Sequence, residues 1–247
     1  MQKGYIALLD SGIGGINTLK EMLKVMPGER YLYLGDEKNA PYGNKTFEEL
    51  KTITLNNLNI ILRKDIKALV FACNTLSVTL LNTLKDKIPV PIYGVFPPIE
   101  NANKKKENSI LFCTAKTAER YKSSKYLKVI PLRNLAYDIE NNADNLEKVD
   151  LKKHLQSSEE YKSCLEENFS PKTVILGCTH YSFIKNQFFD HLCPERIVSG
   201  DFFAAQKVKQ DLKILCKLEN DKCFTVDFIG GSANKNRKVF EKVVKHI

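Results

Sequence analysis

Two cysteines carry the chemistry this chain suggests first. Cys73 lies in Leu69-Val-Phe-Ala-Cys-Asn-Thr75 and Cys178 in Val174-Ile-Leu-Gly-Cys-Thr-His180. Each follows an apolar, strand-like run and precedes polar residues and a helix-like stretch. Two thiols at the carboxyl ends of two buried strands can face one another across a cleft. Such a pair suits chemistry in which a proton leaves one face of a carbon and returns on the other, as racemisation requires. Their position at helix N-termini is expected to favour thiolate at both. His180 stands within reach of Cys178 as a proton partner, or reads equally as a helix-start residue. Cys113, Cys164, Cys193, Cys216 and Cys223 read as small buried hydrophobes.

The elements that must position these groups are legible as apolar runs. Strands are expected at Tyr5–Leu9, Tyr31–Leu34, Ala68–Ala72, Pro91–Val95, Ile110–Thr114, Lys128–Leu132, Thr173–Leu176, Arg196–Val198 and Phe224–Ile229. Helical periodicity lies between most of them, as in Phe47–Arg63, Thr75–Leu84, Leu146–Asn168, Phe202–Leu215 and Asn234–Val244. Alternation of the two, with strands apolar on both faces, predicts an α/β fold built on parallel sheets. Ligands of such sheets bind at the carboxyl ends of strands, where Asp10, Asp36, Cys73, Thr114 and Cys178 all fall. Two prolines in Gly94-Val-Phe-Pro-Pro98 mark a linker between two sets of strand–helix units.

Composition narrows the class. At 247 residues and 43% hydrophobic, the chain can bury one large or two small cores. The start is too short and too soon acidic for a signal peptide, and no apolar run approaches a membrane span. A cytoplasmic protein with reduced thiols is expected. The seven cysteines lack the close pairing of a zinc ribbon, and no metal is expected. A formal charge of +9 comes from lysines spread along the chain, densest at Lys104-Lys-Lys106. Without aromatic interleaving or a nucleic-acid motif, this reads as a solvated surface with weak attraction to polyanions, not as a nucleic-acid site.

Two loops complete the candidate set. Asp10-Ser-Gly-Ile-Gly-Gly15 follows the first strand and leaves amide N–H groups free to meet an anion. It is neither a Walker A loop nor a dinucleotide fingerprint, and a carboxylate ligand fits it better. Gly35-Asp36 precedes Pro41-Tyr-Gly43, a turn that can aim backbone amides and the Tyr42 hydroxyl into the cleft.

Together, Asp10-Ser-Gly-Ile-Gly-Gly15, Gly35-Asp36, Pro41-Tyr-Gly43, Ala72-Cys-Asn-Thr75 and Leu176-Gly-Cys-Thr-His-Tyr181 resemble the ordered signature of glutamate racemases, within the aspartate/glutamate racemase superfamily. The resemblance runs from the first strand to roughly Val208, with weaker echoes beyond. It implies two similar α/β domains facing across a central cleft, residues 1–95 plus 206–247 and residues 96–205. It also implies a homodimer, D- and L-glutamate as substrates, a role in peptidoglycan synthesis and no cofactor. By the same resemblance Cys73 and Cys178 exchange the α-proton, Cys73 acting on D-glutamate and Cys178 on L-glutamate, with Asp10 assisting the first and His180 the second. Ser11, Asn74, Thr75 and Thr179 would bind substrate polar groups, with Pro41, Tyr42 and Gly43 at a carboxylate and Thr114 and Thr117 as further contacts.

The chain departs from the pattern at Cys113-Thr114, Tyr181-Ser182 and Gly94-Val-Phe-Pro-Pro98, the last lacking an acid. The family's glutamate near the second cysteine falls in Leu135-Ala-Tyr-Asp-Ile-Glu140, where Glu140 is the first candidate and Asp138 the alternative; Asp36 is a further supporting acid. Rival readings are an aspartate or other amino-acid racemase, and a non-catalytic regulatory protein on the same fold.

Overall fold

The computed structural model describes residues 4–215, 218 and 224–244. Among the described residues the strands are, in chain order, β1 Tyr5–Asp10, β2 Arg30–Gly35, β3 Ile66–Phe71, β4 Ile92–Gly94, β5 Ser109–Cys113, β6 Leu127–Pro131, β7 Thr173–Gly177, β8 Arg196–Ser199 and β9 Thr225–Phe228. They form two all-parallel sheets, ordered β4-β3-β1-β2-β9 and β6-β5-β7-β8. Each strand expected from the sequence is present, shifted by a residue or two at its ends.

The continuous apolar runs are explained by cover on both faces. Along β1, Ile6 and Leu8 enter one core while Ala7 and Leu9 enter another, because successive side chains point to opposite sides. The core holding Ile6 and Leu8 continues into the second sheet through Phe112, Ile130, Val174 and Leu176. One hydrophobic mass thus ties the two sheets together beneath the strand ends. Helix Ile16–Val25 lays Ile16, Leu19, Met22 and Leu23 into it. Helix Phe47–Ile61, on the other core, starts at a capping box in which Thr46 and Glu49 satisfy each other's backbone N–H.

The chain leaves the first sheet after β4 through Val95–Pro98, where the linker was expected, and returns after β8 through Gly200. The two crossings touch: a Cβ on Gly200 would lie 2.2 Å from the Phe96 carbonyl oxygen. Helix Asp201–Ile214 then packs on helix Ile16–Val25, with Thr18 donating to the buried Asp201 carboxylate at 2.5 Å.

Two expectations are corrected. The long helix expected over Leu146–Asn168 is broken into Leu151–Gln156 and Glu159–Glu166. Asp150 and Ser158 each cap a new helix start, accepting from Lys153 N–H and Tyr161 N–H, and so interrupt the periodic run. Cys193 is exposed, not buried, at the left-handed end of helix Lys185–Leu192 (φ 44°). Cys113 and Cys164 are buried, while Cys216 and Cys223 lie outside the described residues.

Phe188, fully buried, packs its ring 5.2 Å from Phe112 and 6.0 Å from Tyr181, the residue next to His180. Phe188→Ala is expected to cost about 3–5 kcal/mol of stability, read by urea denaturation, because the ring leaves a cavity that neighbours cannot close.

Candidate active site

Both sheets reverse their winding direction beside a central strand, β1 in the first and β5 in the second. The crevice at such a reversal is where an open parallel sheet can take a ligand. Asp10 and Cys73 lie at the carboxyl ends of β1 and β3, and Thr114 and Cys178 at those of β5 and β7. Both sulfur-bearing side chains are nearly closed off, at 6% and 7% exposure.

Cys73 precedes helix Asn74–Leu84, and its sulfur lies 3.9 Å from the Ser11 hydroxyl. Burial pushes its thiol up to about 12, and the charges on Asp10 and Cys178 add to the effect. The Leu76 amide and Ser11 pull the other way without prevailing. The expected lowering at a helix N-terminus is therefore overturned here: loss of water outweighs the helix dipole. Cys178 precedes a 3-10 turn, Thr179–Ile184, in place of the α-helix expected there.

Behind Cys178 runs a relay of charge. His180 Nδ1 lies 3.9 Å from the Cys178 sulfur, and Nε2 lies 2.7 Å from Glu140 Oε2. Glu140 also accepts from the Ile13 amide at 3.0 Å and from Lys235 at 3.2 Å. Asp138, the other acid considered, turns away to meet His154 at 3.0 Å. Burial opposes charge on both members of the His180–Glu140 pair. For Glu140 it is outweighed by the His180 hydrogen bond and charge, the Ile13 amide and Lys235, which bring the carboxyl down to about 2. For His180 it is outweighed by Cys178 and Glu140, which hold the ring well above its ordinary value.

The glycine-rich loop does something its sequence did not show. Its amides suit an anion, and the protein's own carboxylates take them: Ile13 donates to Glu140, and Gly12 to Asp10 at 3.0 Å. The glycines permit close approach. A Cβ at Gly12 would stand 2.1 Å from Glu140 Oε2, and one at Gly14 2.5 Å from His180 Nδ1. Asp10 is fully buried, which raises its carboxyl; the His180 charge and the Gly12 and Gly15 amides oppose the rise. Thr179 reaches Asp10 through a long 3.5 Å hydrogen bond.

Three hydroxyls join the halves. Thr75 lies 3.0 Å from Thr114 and 3.4 Å from Thr117, and Thr114 lies 3.0 Å from Thr117. The Pro41–Gly43 segment presses on the same cluster, since a Cβ on Gly43 would meet Thr114 Cβ at 2.5 Å. The Tyr42 hydroxyl, expected to face the cleft, instead donates to Asp36 at 2.7 Å. Asn57 and Asn39 also donate to Asp36, so that acid anchors the 36–43 loop. The Asn74 amide donates to the Val95 carbonyl at 3.0 Å. Among the described residues, no cluster of three His, Cys, Asp or Glu is placed to hold a metal.

Two residues not singled out in the sequence belong to this arrangement. Asn17 holds the Thr179 carbonyl at 3.0 Å, and Lys235 holds Glu140. Nothing in their local sequence marks either one, because their partners are distant in the chain.

No family model matches the chain. Over 219 residues it is 35% identical to a glutamate racemase of Clostridium botulinum (strain Alaska E43 / Type E3), an alignment covering 84% of this chain and 83% of that protein. The chain belongs to the glutamate racemase family. Solved structures agree on the fold. A glutamate racemase from Bacillus anthracis superposes with a TM-score of 0.80 at 23% identity, covering 99% of this chain and 94% of that one. One from Francisella tularensis, in complex with D-glutamate, superposes with 0.78 at 19% identity, covering 98% and 95%. The two parallel sheets are thus the architecture of this racemase family.

The His180–Glu140 pair predicts a stability profile. Glu140, depressed in the folded state, stabilises fully above its unfolded value of about 4.3 and loses that contribution as pH falls through about 2. His180, raised in the folded state, stabilises fully below its unfolded value of about 6.5 and loses that contribution as pH rises through its folded value. Denaturant titrations from pH 2 to 9 should therefore show stability falling below about 4.3 and above about 6.5. Glu140→Gln should flatten both limbs.

Proposed function

We propose that this chain interconverts L- and D-glutamate without a cofactor, Cys73 and Cys178 acting on opposite faces of the α-carbon. The observation that carries the reading is the placing of one thiol at each sheet's winding reversal, in a chain of this family. One thiolate takes the α-proton and leaves the electron pair on the α-carbon. The thiol on the other side gives its proton to that pair, and the centre inverts. Afterwards the two sulfurs have exchanged protonation states, so the same pair serves the reverse reaction.

Each sulfur has its own support. His180, kept positive by Glu140, stabilises negative charge on Cys178. Asp10, with a raised carboxyl, lies on the Cys73 side as a proton partner. A neutral Cys73 thiol suits the free protein, and a substrate ammonium placed beside it would favour its thiolate. Ser11, Asn74, Thr75, Thr114, Thr117 and Thr179 supply hydroxyls and an amide for the substrate carboxylates, alongside the Pro41–Gly43 backbone. Low exposure strengthens these interactions, since little water competes for them. The α-proton is weakly acidic, and this preorganised shell is what offsets the cost of the carbanion. The product D-glutamate would serve peptidoglycan synthesis in a reducing cytoplasm, from a homodimer.

The test is proton NMR of L-glutamate in D2O with the intact protein and with Cys73→Ala and Cys178→Ala. Loss of the α-proton signal with formation of D-glutamate is expected. Each variant should lose racemisation by about 10²–10⁴-fold. Exchange of aspartate but not glutamate would keep the mechanism and change the substrate. Absence of exchange with any amino acid would leave only a binding role.

A further inference from the structure

The C-terminal helix Ala233–Val244 lies beyond the sequence motifs of the signature, yet it reaches the relay behind Cys178. It packs on the first sheet through β2, β9 and helix Ile16–Val25. From there Lys235 crosses to the second half. Its ammonium donates to Glu140 Oε1 at 3.2 Å and to the Glu140 carbonyl at 3.1 Å, and pairs with Glu37 on its other side. Lys242, two turns on, pairs with Asp144 at 2.9 Å, three residues after the helix that carries Glu140. The Lys235 side chain is 31% exposed, whereas that of Glu140 is 4% exposed. Glu140 uses one oxygen for His180 and Ile13 and the other for Lys235, so both lone-pair faces of a buried carboxylate are held.

We propose that Lys235 is a positioning residue for racemisation: by fixing the second oxygen of Glu140, it sets the angle at which His180 faces Cys178. It touches neither thiol and acts only through Glu140. Without it the carboxylate can rotate about its last bond, and the imidazole loses its fixed partner. Near-attack geometry tolerates little of this, since a misplacement of about 1 Å can cost about 10²-fold in rate. Lys235 also bridges the two halves through Glu37 and Glu140.

The inference rests on the two-thiol reading, and its test separates the two. Initial rates in both directions would be measured by circular dichroism for the intact protein, Lys235→Met, Lys235→Arg, Glu140→Gln and the Lys235→Met/Glu140→Gln pair. Lys235→Met should lower kcat about tenfold with KM nearly unchanged, and Lys235→Arg should restore most of it. In the Glu140→Gln background, Lys235→Met should change little, because its path of action is already cut. Full kcat in Lys235→Met, or the same tenfold loss with Glu140 already replaced, would overturn the proposal. A second readout does not need turnover. The His180 Nε2–H proton resonance in the free protein should shift in Lys235→Met and return in Lys235→Arg. An unmoved resonance would overturn the proposal even if the intact protein racemised nothing, an outcome that would itself sink the two-thiol reading alone.

Discussion

The carboxylate of Glu140 is an ionised group with almost no access to water, and much of the site's construction follows from that single fact. A buried charge is costly unless it is paired and fully hydrogen-bonded. Here the partners come from three separate parts of the chain: the Ile13 amide after β1, His180 after β7, and Lys235 from the C-terminal helix. Satisfying one carboxylate therefore draws together both sheets and the last helix. It also dictates small residues nearby, since side chains at Gly12 or Gly14 would occupy the space of Glu140 or His180. Removing any one partner leaves the others with a charge they cannot solvate alone.

The same burial that demands pairing at Glu140 shapes the two thiols differently. Burial and the Asp10 charge favour the neutral thiol at Cys73. Cys178 has a positive imidazole at 3.9 Å. A two-base proton exchange starts with one sulfur protonated and the other ionised. The threonine cluster and the Pro41–Gly43 loop pack against one another at the opposite end. The touching crossings at Phe96 and Gly200 are the place where the chain passes between the sheets.

Much of this was legible in the sequence, for identifiable reasons. Strands buried on both faces write themselves as unbroken apolar runs, and the polar residues that end those runs are the ones that converge. The resemblance put Glu140 ahead of Asp138 by a narrow margin, which the local sequence could not widen. Two residues apart on a helix, they project about 200° apart, and only packing decides which faces inward. The Cys73 thiol was misjudged because a helix N-terminus can be read from sequence, whereas the degree of desolvation cannot. The Tyr42 hydroxyl was aimed at the cleft by its turn but is captured by Asp36 and Asn57, the latter on a different element. Lys235 lay outside any motif, more than ninety residues from its partner.

The central claim is that Cys73 and Cys178 stand on opposite faces of a substrate α-carbon. The most direct measurement is a crystal structure of this protein grown with D-glutamate. The account predicts glutamate between the two strand-end crevices, its α-carbon flanked by the two sulfurs and its carboxylates among Ser11, Thr75, Thr114, Thr117 and Thr179. Glutamate bound elsewhere, or held with both sulfurs on one side of the α-carbon, would contradict it.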